Sequence, residues 1–367
     1  MNVLVVCPVF EPYSGGGGQY FPLLVKELAG NPDIGNVVVL TEKHPDREMI
    51  ERDGNITVYR KLARRDTVKK GRVYKTISFF YTYCQFAILI PRLVKKYDIH
   101  IIHYTRYMRR EFFRIMGECK RSQGVKVVVD MRATLESDEA ISGLFGVDCI
   151  ISNSEAVYNQ VERLLRDKFT HELVKNPIAL PHRVGESAVE IIKNKYSLSG
   201  QKYLLMVGQL MPRKSTEEVV DAYPLIKEGL PDHKLVLVGR NMLGEGILKK
   251  IVDHGICYLG PLNHDDAMIL IEGADLVIQP SKIEGIPRVS IESLALGKKV
   301  LLPPCAPELI RDNKFFTVPT YEADVIGQKV VEIVKGDKYP DYDLSNHDIQ
   351  SSIAHVVQLY KAQLISL

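Results

Sequence analysis

The chain has 367 residues, of which 46% are hydrophobic and 25% charged, and a net charge of +3. That length suits two domains with proper cores, and the composition is that of a globular protein rather than a disordered, fibrous or disulfide-rich one. The charge is unevenly spread: 27 Lys/Arg against 21 Asp/Glu up to Leu180, then 21 against 24. Six cysteines stand at 7, 84, 119, 149, 257 and 305, with no C-x-x-C pair, so neither a disulfide framework nor a zinc site is expected and a cytoplasmic, reducing setting fits.

The opening "MNVLVVCPVF" lacks the basic and long apolar parts of a signal peptide, so none is expected. Its apolar run reads as a buried strand. Next comes "EPYSGGGGQY", with glycines at Gly15, Gly16, Gly17 and Gly18 before the helical pattern "YFPLLVKELAG". Such a loop either presents N–H groups to a phosphate or is a flexible surface loop; it matches neither a P-loop nor G-x-G-x-x-G. Strands "NVVVLT" and "ITVYRK" follow. From Arg60 to Lys75 there are eight Lys/Arg and one Asp, and aromatic residues come next. This stretch either docks on an anionic membrane or acceptor or is a solvated loop before a core helix. No nucleic-acid reader motif accompanies it. The longest charge-free run, "TISFFYTYCQFAILIP", falls short of the ~20 apolar residues of a spanning helix.

Strands "IHIIHY", "KVVVDM", "CIISN" and "ELVKN" complete the first series, with His103 and Asp130 near strand ends. Each is a candidate for the site or a hydrogen-bonded structural residue. The turn-rich "NPIALPHRVG" marks a boundary. The pattern restarts with "YLLMVG", "KLVLVG", "CYLG", "ADLVIQP", "KKVLL" and "FFTVP", and a helix, "NHDIQSSIAHVVQLYKAQLISL", ends the chain. Two runs of alternating strands and helices imply two doubly wound α/β domains, with ligands expected beyond the carboxyl ends of the strands.

Two places in the second half carry charge at such ends. In "VGQLMPRKSTEE", Arg213 and Lys214 precede a helix start and either hold a diphosphate or form a solvated pair. In "SKIEGIPRVSIESLALG", Pro287 disfavours helix at Ile286, which leaves Glu284 in the loop and Glu292 on the helix. Two carboxylates there suit the hydroxyls of a sugar and a ribose, or are a helix neighbour and an exposed helix residue.

Together these segments resemble the retaining nucleotide-sugar glycosyltransferases of family 4, which have the GT-B fold. The resemblance rests on the pair Glu284 and Glu292 within "PSKIEGIPRVSIESLALGKKVLL", on "YLLMVGQLMPRKS", and on "LVLVGR", "YLGPL" and "NPI". It is strong from about residue 200 to 305. It implies an α/β GT-B chain of two Rossmann-like domains facing across a cleft: an acceptor-side domain over 1–180 and about 346–367, and a donor-binding domain over 181–345, with the last helix crossing back. It further implies transfer of a sugar from a nucleoside diphosphate to an acceptor hydroxyl on a glycan, lipid or small molecule, with retention and without metal. No cofactor is implied beyond the nucleotide-sugar substrate. Arg213 and Lys214 would bind the leaving diphosphate. Glu284 and the backbone of Gly285, Ile286, Pro287 and Arg288 would hold the sugar, and Glu292 the ribose. Tyr258 to Gly260 would line the base pocket, and the Gly15–Gly18 loop would close over the donor. Gln209 stands where the family has Arg, with Arg240 and Arg288 as substitute cations. Ser215 stands in place of a Gly, and Asp130 in place of a catalytic His, with His103 on the acceptor side. A same-fold epimerase or phosphorylase, or a catalytically silent binding subunit, is the alternative. A peripheral location at the inner membrane face, through residues 60–75, is an expectation.

Overall fold

The computed structural model describes residues 1–365 except 8, 13–15, 64–71, 106–109, 133–145, 166–169, 176–177 and 285–286; for 16–19, 72–75, 165 and 346 it describes the backbone alone. The chain forms two compact units, Met1–Pro177 with Asn346–Leu367, and Ile178–Ser345.

In the first unit the order is β1 (Val3–Val6), α1 (Gly16–Gly30), β2 (Val37–Glu42), β3 (Ile50–Asp53), β4 (Ile56–Leu62), α2 (Arg72–Tyr97), β5 (Ile101–Tyr104), α3 (Arg110–Gln123), β6 (Lys126–Met131), β7 (Cys149–Ser152), α4 (Glu155–Leu165) and β8 (Thr170–Leu173). The strands make one sheet in the order β3-β4-β2-β1-β5-β6-β7-β8, parallel except for the β3–β4 hairpin. Strands β1, β2, β5 and β7 are buried at every position, as a parallel sheet covered on both faces requires. Alternate residues feed two cores. Leu4, Val38, Ile102 and Val129 pack against α2 and α3, while Val5, Val39, Ile101 and Val128 pack on the other face with α1.

The apolar part of α2, Thr76–Tyr97, has a mean hydropathy of 1.4 and is long and apolar enough to cross a membrane by those measures. The helix runs through Pro91, so it outgrows the short run expected from sequence. One face packs in the core beneath the sheet through Phe86, Ile90, Leu93 and Val94, and 28% of the apolar window is buried.

The second unit comprises α5 (Glu186–Lys195), β9 (Lys202–Val207), α6 (Thr216–Gly229), β10 (His233–Val238), α7 (Glu245–Asp253), β11 (Cys257–Gly260), α8 (His264–Gly273), β12 (Leu276–Ile278), α9 (Arg288–Ala295), β13 (Val300–Leu301), α10 (Pro307–Ile310) and α11 (Ala323–Lys335). Its sheet is wholly parallel, ordered β11-β10-β9-β12-β13. The stretch "FFTVP", expected as a sixth strand, is instead a 3-10 turn over Lys314–Phe316; it is apolar because Phe316 and Val318 are buried, not because it is extended. The chain then returns to the first unit as α12 (Ile349–Ile365), where Ile353, Val356 and Tyr360 join the core with α1.

Candidate functional site

The second unit's strand ends explain the shape of its loops. Gly208 and Gly239 close β9 and β10 with φ of +144° and +140°. A side chain at Gly239 would stand 1.8 Å from the Gly208 carbonyl, so the two strand ends meet only as glycines. The Gly208 N–H donates to Val238 at 2.8 Å, and the Gly239 N–H to Gly260 at 2.8 Å. A Cβ at Gly208 would meet Lys214 Cε at 3.7 Å, an ordinary contact, so its φ of +144° rather than crowding calls for glycine there.

After β9 the chain makes a 3-10 turn over Pro212–Lys214 and passes through Ser215, at φ 55° and ψ 36°, into α6. This left-handed seat costs a non-glycine residue about 1 kcal/mol. It gives a physical reason for glycine at this position elsewhere in the family resemblance. The turn aims its cations across at the loop after β12. Lys214 Nζ is ion-paired with Glu284 Oε1, and Arg213 lies 3.7 Å from Glu284 Oε2. The Arg213 guanidinium also donates to the Ile283 carbonyl at 3.3 Å, and the Arg213 carbonyl accepts from Lys282 N–H at 2.8 Å. Lys214 and Glu284 are 13% and 11% exposed, so water is largely excluded from the pair.

Pro287 ends the loop and α9 begins at Arg288. One turn on, Glu292 is 3% exposed and accepts from Arg288 at 3.2 Å. Among the described residues no side chain caps α6 or α9, which leaves the first N–H groups of both helices without a side-chain partner, while the Ser290 N–H donates to the Pro287 carbonyl at 3.0 Å. Sequence reasoning gave no role to three hydroxyls here. Ser215, Ser281 and Ser290 are buried, and their Oγ atoms have no hydrogen-bond partner. Each belongs to a loop or first helical turn already flagged for its charges; small polar residues carried no signal of their own. The Ser281 carbonyl accepts from Cys305 Sγ at 3.3 Å. Burial first, and then the Glu284 carboxylate, push the Cys305 thiol up to about 11, which keeps it a protonated donor.

Gln209 and Arg240 are exposed just past the ends of β9 and β10. Tyr258 is half-buried and donates its hydroxyl to the Gly239 carbonyl at 2.9 Å, locking that edge, while Gly260 turns the chain at φ +70°. Gly285 and Ile286 lie outside the described residues, as does Gly15. Gly16, Gly17 and Gly18 form the first turn of α1 rather than the expected loop. Packing by Tyr20, Phe21 and Leu24 holds a helix that glycine propensity alone would not start.

In the first unit, His103 and Asp130 come together but are fully buried at 0%. His103 Nε2 is 3.3 Å from Asp130 Oδ2, and the Arg132 guanidinium donates to the same oxygen at 3.0 Å. Burial alone would raise Asp130, but the Arg132 and His103 partners outweigh it and hold the carboxyl below its ordinary value. From α12, the Tyr360 hydroxyl lies 2.7 Å from His103 Nδ1. Burial raises that phenol well above its usual value, so it remains a donor. The contacts run in a chain from Tyr360 through His103 to Asp130. Arg132 stacks over Tyr20, its Cζ 3.3 Å from the ring centroid. Neither His103 nor Asp130 therefore presents surface; the member of the group nearest solvent is Arg132, at 16%. Arg60, counted in the basic stretch, is likewise interior: it is 1% exposed and paired with Glu51 at 3.1 Å. Residues 64–71 of that stretch lie outside the described part.

Residues 188–344 match the model of a family described as glycosyl transferases group 1. The O-antigen chain mannosyltransferase B of Escherichia coli is 26% identical over 40% of this chain and 41% of that protein. This chain thus spans about two-fifths of that curated relative. Sucrose-phosphate synthase from Thermosynechococcus elongatus superposes with a TM-score of 0.74 over 100% of both chains at 16% identity. An Anabaena protein solved in complex with UDP and glucose gives 0.65 over 100% of both chains at 14% identity. At those identities the structures speak for the fold. Residues 188–344 thus resemble the glycosyl transferases group 1 family, and the chain that carries them has the GT-B fold of two Rossmann-like units.

Proposed function

We propose that the chain is a retaining hexosyltransferase that moves a sugar from a nucleoside diphosphate to an acceptor hydroxyl without a metal ion. The observation that carries this reading is the gathering of Lys214 and Arg213 on Glu284 beside two uncapped helix starts. Two cations and two sets of N–H groups offer counter-charge to a diphosphate where its leaving oxygen gains charge. Glu284 then serves as acceptor for sugar hydroxyls, and Glu292, oriented by Arg288, for the ribose. Gln209 carries no charge, and Arg288, at the head of α9, supplies the further cation in this reading.

In the step itself the bond from the anomeric carbon to the phosphate oxygen breaks. A bond from that carbon to the acceptor oxygen forms on the same face. The acceptor proton passes to the departing phosphate oxygen, so charge balances with no protein base. The mannosyltransferase relative makes mannose the first sugar to test, and the complex of a structural relative with UDP and glucose supports a nucleotide donor. Glycans and lipid-linked acceptors are the candidate acceptors, and the reading places the activity in the cytoplasm.

The test is a thermal-shift screen of nucleotide sugars, followed by product analysis and assignment of the anomeric configuration. A stabilising donor whose anomeric configuration survives in the product supports the proposal. An inverted product overturns retention, turnover abolished by chelators overturns metal independence, and donor converted without acceptor points to an epimerase.

A further inference from the structure

Among the described residues, three that are not glycine have a left-handed backbone: Asp98, Ser197 and Ser215, at φ of 48°, 58° and 55°. Asp98 and Ser197 are exposed on the turns that follow α2 and α5, a common place for this conformation. Ser215 is instead fully buried, and its Oγ has no hydrogen-bond partner. Glycine would remove both costs at once. The fold does not need this hydroxyl. Thr216 closes the turn from β9 to α6: its Oγ1 accepts from the Met211 N–H at 3.2 Å and donates to the Met211 carbonyl at 3.4 Å. The Ser215 N–H donates to the Pro212 carbonyl at 3.0 Å, but the side chain gives α6 no cap. The surroundings are those of an anion site. Arg213 and Lys214 precede Ser215, and the first N–H groups of a 14-residue helix follow it. Of the two acids in that first turn, Glu218 is ion-paired with Lys282 and Glu217 is exposed. The loop after β12 lies alongside, where the Lys282 N–H donates to the Arg213 carbonyl at 2.8 Å. There Ser281 and Ser290 are buried with unpartnered Oγ atoms. Buried Gln279 donates its amide to the Val207 carbonyl at 2.9 Å and leaves Oε1 unpartnered. Buried polar groups are normally satisfied, so four such atoms at one sheet edge mark a place where a polar ligand supplies the missing partners.

We infer that the Ser215 hydroxyl donates to a phosphate oxygen of the donor's diphosphate, beside Lys214. The inference rests on the reaction proposed above and adds to it a neutral donor. The shift that frees Lys214 from Glu284 for the diphosphate also uncovers the hydroxyl. A strained backbone and an unmet hydrogen bond are then the standing cost of a group that is satisfied only when nucleotide is bound.

Ser215→Gly and Ser215→Ala separate the hydroxyl from the backbone. Both remove the donor, and only glycine also relieves the left-handed φ. Calorimetric titration of the full chain with UDP, GDP, ADP, CDP and dTDP identifies the nucleotide that the wild type prefers. Both variants should bind that nucleotide about 10-fold more weakly, because a hydrogen bond to a charged group is lost. The matching nucleoside, which carries no phosphate, should bind as before. Without ligand, Ser215→Gly should unfold about 2–4 °C above the wild type. A hydroxyl with a structural duty would give the opposite pattern, a lower unfolding temperature for Ser215→Gly and weaker binding of nucleoside and nucleotide alike. Either of those results, or undiminished nucleotide affinity in both variants, overturns the inference and leaves the proposed function standing. A wild type that binds none of these nucleotides overturns the two together.

Discussion

Glu284→Gln separates the two duties assigned to the Lys214–Glu284 pair. One carboxylate holds Lys214 on Oε1 and Arg213 at 3.7 Å on Oε2. The raw attraction across that second distance is about 4 kcal/mol at an effective dielectric constant of 20. Desolvation and side-chain ordering reduce the net worth of such a partly buried pair to about 1–2 kcal/mol. A diphosphate must draw both cations away from Glu284. Replacing the acid by an amide of the same shape removes that competition, and UDP or GDP, whichever the wild type prefers, should bind about 5-fold more tightly. Transfer should nonetheless fall by about 100-fold or more, because the sugar loses a charged acceptor for its hydroxyls. Folding stability should drop by about 1–3 kcal/mol, since Lys214 would stay 13% exposed without its partner. Calorimetric titration of the bare nucleotide and initial-rate product assays on the same preparations provide the comparison. A nucleotide bound 10-fold more weakly would show that Glu284 touches the nucleotide. Unchanged turnover would reduce the residue to a structural counter-ion.

Lys214→Ala should lower kcat by about 100-fold or more, and near-normal turnover would remove the lysine from the leaving-group site. Gly239→Ala should destabilise the second unit by about 3 kcal/mol or more, read by chemical unfolding, because its Cβ would stand 1.8 Å from the Gly208 carbonyl at a φ of +140°. Asp130→Asn should cost about 2–3 kcal/mol at neutral pH by breaking a buried charged network. Asp130 is held below its ordinary value, so its contribution is complete above the usual carboxylate range and lost as pH falls through it. Unfolding curves of wild type and variant should therefore converge only in acid; a gap that stays constant down to strongly acidic pH would refute the assignment.

Much of the fold was legible because parallel strands covered on both faces leave a plain mark, four or more apolar residues between helix-length segments. The misses follow from the same physics. Strand β3, "IERD", is half-exposed at the sheet edge and carries no apolar run, whereas "FFTVP" is apolar without being extended. In the site, Arg213, Lys214, Glu284 and Glu292 could be found because charge after a buried strand is conspicuous and the loops that bear it stay open. His103 and Asp130 gave the same local signal, and their outcome was different. Both point to the sheet face that α12 covers, and the hydroxyl that reaches them comes from Tyr360, 257 residues beyond His103. A polar strand end works as a ligand group only where nothing later in the chain closes over it. That information lies in which helix returns to the first unit, not in the composition around the residue. The same rule reads in reverse at α2, where Ile77, Phe80, Tyr81 and Ile88 are exposed and no element of the first unit covers them among the described residues. Buried polar groups and exposed apolar ones are therefore the two places where local pattern and tertiary arrangement part company in this chain.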